Sequence, residues 1–283
     1  MQKQSSLLLK TLGLFLALIV TILPCFHYDD FRLNLLFGAL GGVIFYIFLY
    51  KKLDFDDGLF YALVAIFITL SFGIKDVVFI DSFNLLIYLF AYLLGSVPFG
   101  LLLAKSFANV DIKELGSKSI GATNVLRVVK QKDAKLAQKL AVATFLLDFS
   151  KAFVPILLAK LSAYDANLLY SIGVFVILGH CFSIYLHLQG GKGIATGAGV
   201  MAVLLPLELA IALVVWFIIG KVFKISSLAS LCATLTFLIS LFFIHQNIEI
   251  NTYAPIFIIC FIVFYKHKDN IKRLIFKQEC KVI

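Results

Sequence analysis

Three stretches of this 283-residue chain hold residue types that could do chemistry on an anion. The first runs Gly116-Ser117-Lys118-Ser119-Ile120-Gly121-Ala122-Thr123-Asn124-Val125-Leu126-Arg127. Its small residues let backbone N–H groups approach a phosphate, Ser117, Thr123 and Asn124 add side-chain donors, and Arg127 can clamp two oxygens at once. The same stretch also reads as the start of an interfacial helix capped by Ser119 or Thr123. The second is Gln189-Gly190-Gly191-Lys192-Gly193, just ahead of an apolar run. It is not a P-loop, which needs glycine where Leu186 stands and Ser or Thr where Gly193 stands. What remains is a flexible turn with one lysine at a helix N-terminus, which is either an anion site or a tight membrane-side loop. The third is His267-Lys268-Asp269-Asn270-Ile271-Lys272-Arg273-Leu274. A helix there puts His267 and Asn270 on one face; the plainer reading is a juxtamembrane anchor.

Other polar residues say less alone. Ser96, two before Pro98, reads as a hydroxyl filling the backbone bond that proline removes. Asp148 and Lys151 share one apolar run and read as a buried pair or a snorkelling lysine. His180 reads as a packed histidine in mid-span, and Ser226, Ser227 and Ser230 as caps or phosphate ligands at the start of another span. There is no Gly-x-Ser-x-Gly elbow and no His-x4-Asp pair, which leaves direct attack on an activated acyl donor as the simpler acyl-transfer chemistry. The five cysteines form no CxxC, and no ligand cluster is visible, so neither metal nor cofactor is expected.

The elements that must position these blocks are membrane helices. The chain is 61% hydrophobic with a mean hydropathy of +1.01, too apolar for a soluble domain. The runs are continuous and not alternating, which favours helices over a barrel. Spans are expected near 11–24, 33–50, 58–73, 85–104, 139–160, 168–187, 194–205, 207–221, 226–245 and 252–265. The first reads as a retained helix, because Pro24-Cys25-Phe26 makes a poor signal-peptide cleavage site. The net charge of +9 could suggest nucleic acid, but the basic residues sit in short loops beside the spans, as the positive-inside rule requires. Segment 105–139 carries eight Lys/Arg against three acids, and 266–283 carries six against two, so both are expected in the cytoplasm. Loops 162–167 and 246–251 have no Lys or Arg and belong outside. Counting inward, Lys192 and the Lys221/Lys224 pair fall on the same cytoplasmic side. A segment that starts and ends on one side must turn back, so 194–221 is expected to be a short-helix hairpin broken at Pro206.

The order of these blocks resembles the bacterial PlsY family, the acyl-phosphate:glycerol-3-phosphate acyltransferases. The stretches that carry the resemblance begin with Ala91-Tyr92-Leu93-Leu94-Gly95-Ser96-Val97-Pro98-Phe99-Gly100, then Gly116 to Arg127, then Asp148 and Lys151. Gly179-His180-Cys181-Phe182 and Gly190-Gly191-Lys192-Gly193-Ile194-Ala195-Thr196 follow, then Ser227-Leu228-Ala229-Ser230 and the His267 block. The likeness covers residues 85–281. Departures are Lys118-Ser119-Ile120 for the common Gly-Asn-Pro, Ser183 for a usual proline, and Lys277 where glycine is frequent.

The resemblance implies an all-α polytopic membrane protein with a seven-helix core, to which the charge pattern adds the hairpin; the three extra spans expected in residues 1–84 are the larger departure, since the family pattern does not include them. Domains are expected at 1–84, an extension of unassigned role, and 85–283, the acyltransferase. It implies transfer of the acyl group of acyl-phosphate to the 1-hydroxyl of sn-glycerol 3-phosphate, giving lysophosphatidic acid in phospholipid biosynthesis. Catalytic residues would be His267, Asn270 and Asn124; substrate-binding ones Ser117, Thr123, Arg127, Gly190, Gly191, Lys192, Gly193, Ser227 and Ser230. His267 is expected to donate a hydrogen bond in preference to acting as base. Expected partners are glycerol 3-phosphate, acyl-phosphate, membrane lipid and the soluble enzyme that makes acyl-phosphate, with no nucleic acid. The expected location is the bacterial cytoplasmic (inner) membrane, with the site facing the cytoplasm. A transporter of an anionic solute and a non-catalytic membrane assembly protein are the competing classes.

Overall fold

The structure is a computed structural model and describes residues 82–245, 248–250 and 252–281, together with Leu40. The chain divides into two units, Met1–Phe79 and Ile80–Ile283, and all three anion-type blocks lie in the second. The expected spans at 11–24, 33–50 and 58–73 lie outside the described residues.

Ten α-helices and one 3₁₀ turn make up the described part of the second unit: α1 Ser82–Ser96, α2 Phe99–Ala108, α3 Ala122–Val129, α4 Ala134–Leu161, α5 Ala166–Cys181, the turn Ile184–Leu186, α6 Ile194–Leu204, α7 Pro206–Phe223, α8 Ser226–Ile244, α9 Ala254–Lys266 and α10 Lys268–Ile275. Among the described residues, four apolar stretches are long enough to cross a membrane: Asn84–Ala108, Ala134–Leu161, Pro206–Phe223 and Ser226–Ile244. Three shorter apolar helices, α5, α6 and α9, bring the apolar core to seven.

The span expected at 85–104 is two helices, because Pro98 has no N–H and breaks the ladder after Ser96. Ser96 does not fill the gap as its sequence context suggests. Its hydroxyl has no partner, while its carbonyl accepts a 2.6 Å bond from Ser183 Oγ. Ser183, where the family commonly has proline, thus ties the end of α5 to the end of α1. The two helices touch closely: a Cβ on Gly95 would overlap the Val176 carbonyl, and one on Gly179 the Tyr92 carbonyl. Small residues at a helix seam let backbones approach in this way where lipid supplies no hydrophobic drive.

Two caps set the ends of the neighbouring helices. The Asp133 carboxylate accepts from Lys135 N (2.8 Å) and Leu136 N (3.0 Å) at the start of α4, and Asp165 accepts from Asn167 N (2.8 Å) at the start of α5. The expected hairpin is present. α6 is 11 residues, about 16 Å at 1.5 Å per residue, half the hydrocarbon thickness. It stops at Leu205 (φ −141°, ψ 62°), and Pro206 opens α7. α7 runs antiparallel to α8. Near its start the buried Glu208 pairs with His245 at the end of α8, and further on Trp216 Nε1 donates to Ser230 Oγ (3.4 Å). The chain therefore leaves from Gly193 and returns to Ser226 beside it. α7 packs chiefly on α8, and Val214, Phe217, Ile218 and Val222 are exposed along its other side.

Candidate active site

A cavity of about 500 Å³ opens where the three sequence blocks meet. Its polar end is lined by Ser117, Thr123, Asn124, Arg127, Lys192, Gly193, Ser226, Ser227, Ser230, His267, Asn270 and Glu279. Its deeper part is apolar, between Met201 of α6, Leu209, Ala212 and Leu213 of α7, Phe237 of α8 and Ile259 of α9.

The first block is held from below by its own small core. Val110, Ile112 and Ile120 are buried against Val125, Val128 and Val129 of α3 and Leu101 and Ala104 of α2. Neither Ser119 nor Thr123 caps α3: the N-cap is Gly121. Asn124 shapes the loop instead. Its Oδ1 accepts from Ser117 N (2.8 Å), and its Nδ2 lies within 3.2 Å of the carbonyls of Ile112, Leu115 and Ser119. With its amide bonded within its own loop and the residue 1% exposed at the cavity wall, Asn124 holds the Ser117 N–H and the surrounding carbonyls in place. Lys118 sits at φ +57°, the left-handed region that the family's usual glycine adopts freely and lysine does not.

The second block divides by function. Lys192 and Gly193 line the cavity, whereas Gly190 and Gly191 do not. Those two glycines lie flat on the end of α5: Gly191 N donates to the His180 carbonyl (2.9 Å), and a Cβ on either would overlap His180. His180 is in the last turn of α5 and not in mid-span. Lys192 Nζ donates one hydrogen to Asn270 Oδ1 (2.6 Å), leaving two for a ligand. Burial lowers its pKa from 10.5 to about 8, Arg273 and Arg127 push the same way, and Glu279 and Asp269 oppose them.

The third block is fixed by Lys266, the last residue of α9, which donates to the carbonyl of Cys181 (2.8 Å) and lies over the Phe182 ring. His267 is the joint between α9 and α10, 2% exposed, and Asn270 follows one turn on, 3% exposed. His267 Nδ1 lies 2.8 Å from the Val263 carbonyl, so it carries the hydrogen. Burial, more than any other influence, lowers the pKa of His267 from 6.5 to about 4. The ring is neutral at physiological pH, and Nε2 is left as an acceptor. Where the sequence led to a donor role, the Val263 carbonyl already takes the Nδ1 hydrogen, and the ring nitrogen left over is an acceptor.

Glu279 is the site residue that sequence reasoning missed. Its Oε1 accepts from Asn270 Nδ2 (2.8 Å) and Ser227 Oγ (3.0 Å), and its Oε2 from Arg273 Nε (2.6 Å). Burial opposes ionisation, but the bonds from Arg273, Asn270 and Ser227 outweigh it and hold the carboxyl below its usual range. The one signal for it was a lone acid in an otherwise basic tail. Ser227 and Ser230 do not cap α8, whose N-cap is Ile225. Ser226 Oγ instead meets Thr123 Oγ1 at 3.3 Å, joining the first block to α8.

Among the described residues no cluster of His, Cys, Asp or Glu could hold a metal. What the site can do is hold phosphate oxygens between Arg127, Lys192 and a ring of hydroxyls, beside a neutral imidazole and above an apolar gallery.

The comparisons agree with that arrangement. A profile described as Glycerol-3-phosphate acyltransferase matches residues 85–277. The chain is 64% identical over 200 residues to the glycerol-3-phosphate acyltransferase of Campylobacter jejuni subsp. doylei, covering 71% of this chain and 99% of that one. The Campylobacter lari protein of the same description is 63% identical over 201 residues, with the same coverage. The crystal structure of PlsY (YgiH), an integral membrane glycerol 3-phosphate acyltransferase, in its glycerol 3-phosphate form, superposes with a TM-score of 0.63 at 35% identity, over 71% of this chain and 96% of that one. Its lysophosphatidic acid form superposes with a TM-score of 0.61. By the extent of the profile and the coverage of these relatives, this integral membrane chain belongs to the glycerol-3-phosphate acyltransferase family.

Proposed function

We propose that this chain transfers the acyl group of acyl-phosphate to the 1-hydroxyl of sn-glycerol 3-phosphate, giving lysophosphatidic acid and inorganic phosphate. The observation that carries the reading is one cavity in which a cationic, hydroxyl-lined end continues into an apolar gallery. That shape suits two anionic heads and one hydrocarbon tail. Arg127 and Lys192 offset the repulsion between the two phosphates, Ser117 and Thr123 supply neutral donors, and the tail lies between α6, α7, α8 and α9. A transporter reading has no such support: the polar groups gather at one end of the cavity, and the family is an acyltransferase family.

In the step itself the hydroxyl oxygen attacks the acyl carbonyl carbon. The new ester C–O bond forms, the bond from that carbon to the phosphate oxygen breaks, and the hydroxyl proton ends on the departing phosphate. That leaving group titrates near pH ~6 and departs without an acid catalyst. His267 Nε2 accepts the hydroxyl's hydrogen bond and aims its oxygen lone pair at the carbonyl, while Lys192 and Arg127 stabilise the developing charge. Asn270 aligns the Lys192 ammonium.

The basic segments 105–139 and 266–283 both feed this site, which supports a cytoplasm-facing site in a bacterial inner membrane. The soluble enzyme that makes acyl-phosphate is then a partner on that side. Residues 1–84, where three spans are expected from the sequence, are read as an extension to the acyltransferase domain at 85–283. Purified protein given labelled glycerol 3-phosphate and, separately, acyl-phosphate, acyl-CoA or acyl carrier protein tests the reading. Lysophosphatidic acid is expected from acyl-phosphate; formation from the other donors alone overturns it.

A further inference from the structure

Beside the glycine turn lies a charged cluster that the mechanism above does not use, although two of its members, Asp148 and His180, reach the cavity wall. Asp148 and Lys151 are one turn apart on α4, with side chains 3% and 1% exposed, and His180 in the last turn of α5 is 3% exposed. Lys151 is the hub. Its Nζ is 2.8 Å from Asp148 Oδ1, 2.9 Å from His180 Nδ1 and 3.1 Å from the Val97 carbonyl in the break between α1 and α2. Two of the ammonium's hydrogens go to His180 Nδ1 and the Val97 carbonyl, and Asp148 Oδ1 stands beside it as an ion pair without hydrogen-bond geometry. An ammonium has no acceptor, so His180 Nδ1 must accept and Nε2 must carry the ring hydrogen. Asp148 Oδ1 is 3.6 Å from His180 Nδ1, too long for a hydrogen bond, so the imidazole is oriented by the lysine and not by the carboxylate.

The Nε2 edge of that ring faces the backbone of Gly191, with no room for a side chain between them, and the His180 carbonyl takes the Gly191 N–H at 2.9 Å. The next residue is Lys192, whose Nζ reaches Asn270. A buried ion pair is weak evidence of stability, since desolvating two charges offsets their attraction and an apolar replacement is often as stable. Inside a membrane the cost is higher, and ionisable groups there mark function.

We propose that Lys151, Asp148 and His180 are positioning residues: together they fix the seat on which the Gly190–Gly191 turn rests, and through it the placement of the Lys192 ammonium against the substrate phosphate. The inference rests on Lys192 holding glycerol 3-phosphate, as read above. It explains why this turn has two glycines that do not touch the cavity. It also explains why a buried lysine bonded to His180 and Val97 sits where leucine would pack more cheaply.

The experiment compares wild type, Lys151→Met, His180→Phe, His180→Asn and Gly191→Ala in detergent, each checked for folding by thermal melting and a monodisperse profile. Lys151→Met and His180→Phe should raise KM for glycerol 3-phosphate on the order of 10- to 100-fold, the cost of a misplacement of about 1 Å, with a smaller change in KM for acyl-phosphate. His180→Asn, which keeps an acceptor for Lys151, should recover part of the loss. Gly191→Ala should reproduce the defect, and adding His180→Ala to it should relieve the overlap and restore affinity in part. A second readout is the alkaline limb of kcat/KM. Lys192 is faced by Asn270, Glu279, Arg273, Arg127 and Asp269, and a displaced turn that lets water in should move its limb up from about 8. Folded Lys151→Met with KM and limb both unchanged overturns the proposal. So does a fall in kcat alone that is equal for every variant. Should the wild type bind glycerol 3-phosphate yet ignore acyl-phosphate, the donor assignment fails. The positioning role is then decided by the Kd for glycerol 3-phosphate from ligand-induced thermal shifts, with the same fold loss expected.

Discussion

Lys192→Arg isolates the electrostatics of the site. In the wild type, burial brings the Lys192 ammonium down to about 8, so it titrates within the working range of an assay. A phosphate ligand needs the charged form. At pH 9, about a tenth of the free enzyme keeps that charge, and kcat/KM for glycerol 3-phosphate should be roughly tenfold below its value at pH 7. The limb should lie higher in kcat than in kcat/KM, because bound phosphate favours the ammonium. Arginine stays charged throughout, with a pKa above ~12, so the variant should lose the limb entirely while its absolute rate drops, a fork being a poor geometric copy of a point charge. The assay is lysophosphatidic acid formation across pH 6.5–9.5 (roughly the span that brackets the limb) with saturating acyl donor. A wild type flat to the top of that range refutes the argument, and so does a variant with an unmoved limb.

Further predictions concern the other residues of the site and its surroundings. His267→Gln, which keeps an acceptor oxygen, should retain clearly more kcat than His267→Ala, the latter falling ~10²–10⁴-fold; equal loss in two folded, ligand-binding proteins would show that proton removal and not alignment is the role. Because His267 titrates near 4, no acid limb between pH 6 and 7 should disappear on making His267→Gln. Glu279→Gln should lower the melting temperature, since bonds to a charged partner are worth ~1.5–3 kcal/mol each. The Glu279 carboxyl is held below its ordinary 4.5, so its stabilisation is fully present above that pH and is lost as pH falls through the lowered folded value; the Tm difference between wild type and variant should close on acidification. Lys277 sits at φ +55°, where an L side chain is strained, so Lys277→Gly should raise Tm, by about 1 kcal/mol measured as a melting shift; a lowered Tm refutes it. A chain beginning at Asp81 that inserts correctly should keep activity; a folded, inactive one would assign the first spans a part in the site.

The long-range outline was legible because two simple forces write it plainly. Apolar run length marked the seven core helices, and the positions of Lys192, Lys221 and Lys224 required 194–221 to turn back, as it does at Leu205. The three anion-type blocks that meet at one cavity were legible because the first two combine small residues with donors and the third puts His267 and Asn270 on one helical face. What was hidden depends on contacts between distant residues. Nothing local says that the Asn124 amide is consumed by three carbonyls and one N–H of its own loop. Nothing local distinguishes Gly191, pressed on a histidine, from Gly193, which lines the cavity. The direction of the His267 hydrogen bond follows from the Val263 carbonyl one turn earlier, which helical spacing alone permits but does not require. Glu279 looks like any tail acid until α10 brings it round to Ser227, fifty-two positions away in sequence.

α7 has a consequence for traffic. Leu209, Ala212 and Leu213 face the gallery while Val214, Phe217 and Ile218 of the same helix are exposed. Only a single stave therefore separates a lipid tail in the gallery from lipid outside, and no layer of the described protein lies behind it on that side. A product with one hydrocarbon tail need never meet water to depart. The tail of a bound lipid lies one helix away from the surroundings on the side where Val214, Phe217 and Ile218 are exposed, and the polar end has only to admit glycerol 3-phosphate.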